Sequence, residues 1–170
     1  MAGSKFQSCC VVVADGARAR FFYAAPPTRG RPGSRMTFEE RADLTNPGQQ
    51  HPGMTGVVSG VDRHRAGAGG AGRNDDASEF NRRREEDRRF SVAIIDKAAE
   101  CCASWETPTV VLVADKHTQG QLRQHTHGLT GLTIRELSRD LSGLTLPQLQ
   151  VHLADAGLLP GSPARPHAAH

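Results

Sequence analysis

Residues 9–24 read CCVVVADGARARFFYA, and the parsing of this stretch decides the fold. It opens on an unbroken apolar run that stops at Asp15-Gly16. A short apolar run bounded by a turn signal reads as a strand covered on both faces. Asp15-Gly16 suits a tight turn, because aspartate bonds nearby backbone amides and glycine tolerates unusual dihedrals. Beyond it the pattern alternates: Ala17, Ala19, Phe21 and Tyr23 fall on one side, Arg18, Arg20 and Phe22 on the other. Alternation is the period of a strand, so the stretch is expected to form a β-hairpin.

Working outward, TVVLVAD at 109–115 repeats the first pattern: a second buried strand, again ending in aspartate. PPTRGRPGS (26–34) is a turn, and RMTFEERADL (35–44) a third strand, although its Glu and Ala content suits a helix equally well. Phe90, Ile94, Ala98, Cys101 and Trp105 recur at spacings of three and four, one apolar helical stripe. Ser78, Asp75 or Asp76 can cap that helix. Its first half, Asn81 to Arg89, carries no stripe and should project from the core or lie under the preceding loop. HTQGQLRQH (117–125) is a short helix weakened by Gly120, LTIREL (132–137) a strand, and LPQLQVHLADAG (146–157) a helix with Pro147 near its start and Gly157 at its end. The expected fold class is α/β: a mixed five-stranded sheet, an antiparallel meander followed by β-α-β units, with ribonuclease-H-like topology. Residues 8–156 form one domain, with a flexible Gly/Pro-rich loop over 45–76 and a disordered tail over 157–170.

Composition narrows the function classes. Hydrophobic content is 37%, and the shortfall is concentrated in residues 45–76 and 157–170. A net charge of +3 is too small to argue for nucleic acid by itself, so the distribution of charge must carry that argument. No run approaches the ~18 apolar residues of a membrane span, and residues 1–10 lack the basic and apolar regions of a signal peptide. The chain is therefore expected to be cytoplasmic, without a membrane partner. Its four cysteines lie in two adjacent pairs, Cys9-Cys10 and Cys101-Cys102, without the C-x₂-C gap of a zinc site. Buried free thiols are expected, with one of Cys9 and Cys10 in the core, and no metal or other cofactor.

The charge is most uneven in RAGAGGAGRNDDASEFNRRREEDRRF, residues 65–90. A Walker-type phosphate loop is excluded, since no lysine lies between Lys5 and Lys97. Arg82, Arg83, Arg84, Arg88 and Arg89, with Arg63, Arg65 and Arg73 before them, form a candidate RNA-binding surface, to which Arg18 and Arg20 of the hairpin are added. The bland alternative is a solvated helix that neutralises itself, with Glu85 pairing Arg88 and Arg89, and Arg83 pairing Asp87. A second candidate is an acidic pair, Asp15 and Asp115, at the ends of strands expected to be adjacent and parallel. With Glu79 or Glu86 it would supply the oxygen ligands of two-metal phosphoryl chemistry. Against this, Asp15 is a natural turn residue and Asp115 a natural helix cap. His117, His125 and His127 cluster in sequence, but surface histidines around a short helix are the plainer reading. Tyr23 and Trp105 read as core-edge residues, and 5% aromatics leave no stacking platform of the single-strand-binding kind.

VVVADGARARFF, ADLTNP, the Gly-rich loop, FNRRREEDRRF, VVLVAD and IRELSRDLSGLTLPQLQVHL, in that order, resemble the bacterial host attachment protein family. The wider resemblance is to the central domain of the archaeal–eukaryotic peptide release factors. There a strand ending in Asp-Gly opens the domain, and a loop carries Gly-Gly-Gln into a basic helix. Asp15-Gly16 stands at the first position and Gly69-Gly70-Ala71 at the loop tip, where alanine replaces glutamine, so termination-type hydrolysis is not implied. The resemblance implies a non-catalytic factor associated with the ribosome or RNA. Two alternatives stay open: a protein-interaction module indirectly required for attachment to host cells, and a metal-dependent nuclease built on Asp15 and Asp115.

Overall fold

The computed structural model describes residues 7–49 and 72–159. Three strands come first: β1 (Cys9–Ala14), β2 (Arg18–Ala25) and β3 (Thr37–Thr45). Helix α1 (Gly72–Trp105), β4 (Thr109–Ala114), α2 (Lys116–Arg123), β5 (Thr133–Ser138) and α3 (Leu146–Asp155) follow. The strands make one sheet in the order β3-β2-β1-β4-β5. β2 is antiparallel to both β1 and β3, whereas β4 is parallel to both β1 and β5. The expected mixed five-stranded α/β sheet is present, and residues 37–45 are strand rather than helix.

β1, and β4 after Thr109, are apolar because both faces of the sheet are covered. Cys10, Val12, Ala14, Val110, Leu112 and Ala114 point toward α1 and α2, where Phe90, Ile94, Ile95 and Leu122 meet them. Cys9, Val11, Val13, Val111 and Val113 point the other way, against Leu149 and Leu153 of α3. Both Cys9 and Cys10 are therefore buried, where only one was expected in the core. β2 alternates as anticipated, with Ala19 and Phe21 on the α1 side and Phe22 and Ala24 on the α3 side.

The expected stripe of α1, from Phe90 through Cys101, lies on the sheet. The helix starts at Gly72, ahead of the three expected caps. At the other end Glu106 takes a left-handed φ of 54°, and the Thr107 amide donates to the Cys102 carbonyl at 2.9 Å. α3 ends as expected, with Pro147 in its first turn and Gly157 at φ 72° after its last. At its start the Thr145 amide donates to Gln148 Oε1 at 3.0 Å.

Candidate nucleic-acid interface

The first half of α1 has no apolar stripe to lay on the sheet, and Arg82, Arg83, Arg84, Arg88 and Arg89 are exposed. Most of them have carboxylate partners one turn away. Arg82 lies 4.0 Å from Glu86, and Arg83 lies 3.0 Å from Glu79. Arg88 grips Glu85 with two bonds of 2.8 and 3.0 Å, and Arg89 adds a third at 3.1 Å. These bonds, first from Arg88 and then from Arg89, lower the Glu85 carboxyl to about 2. The Glu85 pairs are those expected; Arg83 pairs with Glu79 instead of Asp87. Asp87 is engaged elsewhere, accepting from Asn46 Nδ2 at 3.3 Å. Arg84 stands apart: among the described residues it has no carboxylate within 4.0 Å, and its guanidinium sits 5.9 Å from the Phe80 ring centroid.

Two cavities flank this half-helix. One, of about 370 Å³, lies between α1 and the end of α2. Asn81, Arg84, Glu85, Arg88 and Ser91 line one wall, and Gln121, Gln124 and His125 line the other. The second, of about 520 Å³, opens where β3 ends, between residues 44–48 and Glu86, Arg89, Phe90 and Ala93.

The other expected site residues take structural posts. Arg20 bonds Glu40 with both Nε (3.2 Å) and Nη2 (3.0 Å), donates to the Leu144 carbonyl at 2.9 Å, and lies over the Phe22 ring. Its donors are thereby committed to joining β2, β3 and the entry to α3. Arg18 is more exposed and bonds Asp43 at 3.2 Å. The parallel register pairs Ala14 with Ala114, so Asp15 and Asp115 do leave the sheet side by side. Each spends an oxygen on backbone: Asp15 Oδ1 accepts from Ala17 (2.7 Å) and Arg18 (2.8 Å), and Asp115 Oδ1 from Thr118 (2.6 Å). Among the described residues no three His, Cys, Asp or Glu side chains are grouped to hold a metal ion. His125 and His127 lie with ring centroids 6.5 Å apart. Gly69, Gly70, Ala71 and the side chain of Arg73 lie outside the described residues, as do Arg63 and Arg65.

Residues 10–153 match the family described as proteins required for attachment to host cells. The chain belongs to that family. No curated protein matches it. Among solved structures it is similar to the type II variant of the Aquifex aeolicus Ppx/GppA phosphatase, at 9% identity and a TM-score of 0.40. That likeness covers 78% of this chain and only 36% of the phosphatase, too remote to carry an argument about fold or function. Among the described residues of this host-attachment family member no helix is long and apolar enough to cross a membrane.

Sequence reasoning missed several residues that shape this end of the family's fold. Asn46 is buried and ties three segments together: Nδ2 donates to the Gly16 carbonyl (2.9 Å) and to Asp87, and Oδ1 accepts from the Gly48 amide (3.1 Å). Its own amide donates to the Ala17 carbonyl at 2.8 Å. A single Asn before a proline advertises a turn, not a clamp. Arg41 lies 3.9 Å from the Tyr23 ring centroid and 5.4 Å from that of Trp105, a cation between two aromatics. Phe80, 61% exposed, was not singled out because one aromatic in a charged run breaks no pattern.

Proposed function

We propose that the protein is a cytoplasmic, non-catalytic factor that associates with RNA or the ribosome through the first half of α1. What carries this reading is an exposed helical segment with five arginines and no apolar stripe, in which Arg84 lacks a carboxylate partner among the described residues. The ion pairs of its neighbours are solvent-exposed and weak, so phosphate oxygens can compete for the same guanidinium groups. The strand order β3-β2-β1-β4-β5 favours assigning the sheet to the ribonuclease-H-like class, and with it a kinship to the release-factor central domain. With Asp15 and Asp115 each capping backbone, nothing in the geometry favours the nuclease alternative.

Ribosome-profile fractionation tests the proposal. Cosedimentation should fall as salt rises, because phosphate contacts release counterions. It should fall further in the double variant Arg83→Glu, Arg84→Glu. Absent or salt-independent cosedimentation would remove the proposal.

The family's description favours a second reading, a protein-interaction module whose link to host-cell attachment is indirect. On that reading a pull-down recovers one specific protein even after nuclease treatment.

A further inference from the structure

We infer that the cleft between α1 and α2 seats one nucleotide of a single RNA strand, its phosphate at Arg84 and Arg88 and its base on Phe80. The inference rests on the RNA reading above and gives it a location and a strand preference.

The cleft is built from two polar stripes. On α1, residues 81, 84, 88 and 91 follow one another at spacings of three and four, so they share one side of the helix. Gln121, Gln124 and His125 face them from the end of α2 at the same kind of spacing. Two helices that turn amides and arginines toward each other cannot close as an apolar seam would. They leave about 370 Å³, near the lower end of the ~300–1,000 Å³ range of small-ligand clefts. That size suits one nucleotide unit rather than a longer segment.

The chemistry of the walls selects an anion first. Arg84 has no carboxylate partner among the described residues, so it is the first guanidinium an anion meets; Arg88, one turn on along the same side, has Nε and Nη2 bonded to Glu85 and adds positive charge to the wall. Glu85, the acid in the lining, is already matched by Arg88 and Arg89. An acidic peptide would satisfy the charge as well as a phosphodiester does. Phe80 breaks the tie. It stands beside the cleft rather than in its lining, exposed one turn ahead of Arg84, whose guanidinium lies 5.9 Å from its ring centroid. A carboxylate side chain has no use for an aromatic face, whereas any base can stack on one. A base held within a duplex is not free to reach it, so the strand must be single. Asn81, Gln121 and Gln124 then supply amide donors and acceptors suited to base edges and the ribose 2′-hydroxyl.

Fluorescence anisotropy of the full-length protein with a labelled hexameric oligoadenylate at low salt tests this. Phe80→Ala and Arg84→Gln should each weaken binding about fivefold or more, while Arg31→Gln, in the Pro-rich turn, leaves it unchanged. A strand of the same length made of abasic ribose phosphate should lose the Phe80 effect and keep the Arg84 effect. Equal affinity for duplex RNA or for polyglutamate overturns the inference, as does indifference to Phe80→Ala. If ribosome cosedimentation is salt-sensitive but the hexamer does not bind, the cleft fails and the broader reading stands. If neither occurs, both fall.

Discussion

At the scale of single residues, Asn46 has the clearest energetic role. One buried side chain satisfies the Gly16 carbonyl, the Gly48 amide and Asp87, and so joins three segments whose own surfaces still reach water. Replacing it with alanine removes three hydrogen bonds, each a net contribution of about 0.5–1.5 kcal/mol. Asn46→Ala should therefore lower unfolding stability by about 2 kcal/mol in chemical denaturation. The double variant with Asp87→Ala should cost less than the two single changes added together, because they break one shared bond. Asp15 and Asp115 show what was legible at this scale. Their identity as turn residue and cap followed from the amides each could reach, and the bonds are present. Asn46 was not legible, because its partners lie 30 and 41 residues away and spacing along the chain says nothing of them.

At the scale of elements, periodicity was readable wherever one element obeyed one rule. The apolar runs of β1 and β4, the alternation of β2 and the stripe of α1 each did so. β3 did not. Its pairing slips between Phe21 and Phe22, which face Ala42 and Glu40, leaving Arg41 as the extra residue of a bulge. The bulge inverts the alternation, so Phe38 faces α3 while Ala42 and Leu44 face α1. A strand whose period reverses midway looks as much like a helix as like itself. α1 also carries a prediction about charge. Glu85 is lowered from 4.5 to about 2, chiefly by its bonds to Arg88 and then Arg89. A depressed carboxyl favours the folded state above its unfolded pKa and loses that contribution as pH falls through the folded one. The window here runs from about 4.5 down to about 2. Carboxyl NMR titration should find a midpoint near the lower value, returning to the ordinary range when Arg88 and Arg89 are both changed to Gln.

At the scale of the whole molecule, two covered faces protect all four thiols. Cys9, Cys10, Cys101 and Cys102 are free and each under 5% exposed. Burial pushes Cys9 up to about 12. Cys10, hydrogen-bonded to Cys101 and Cys102 and buried, is also raised, whereas its bond to Cys102 draws that thiol down to about 7. Iodoacetamide at mildly alkaline pH should modify the native protein slowly, with Cys102 first and Cys10 last, and all four rapidly in denaturant. Fast modification of all four in the native state would mean the sheet is not sealed as described.

The length of α1 has a mechanical consequence. Its 34 residues span about 51 Å at ~1.5 Å per residue, against about 20 Å for a six-residue central strand. Among the described residues the apolar anchoring begins at Phe90, and the portion before it continues an anchored helix. A load applied near Phe80 thus acts on a lever arm whose root is the stack around Ile94 and Ala98, and torque arriving there is delivered straight onto the sheet.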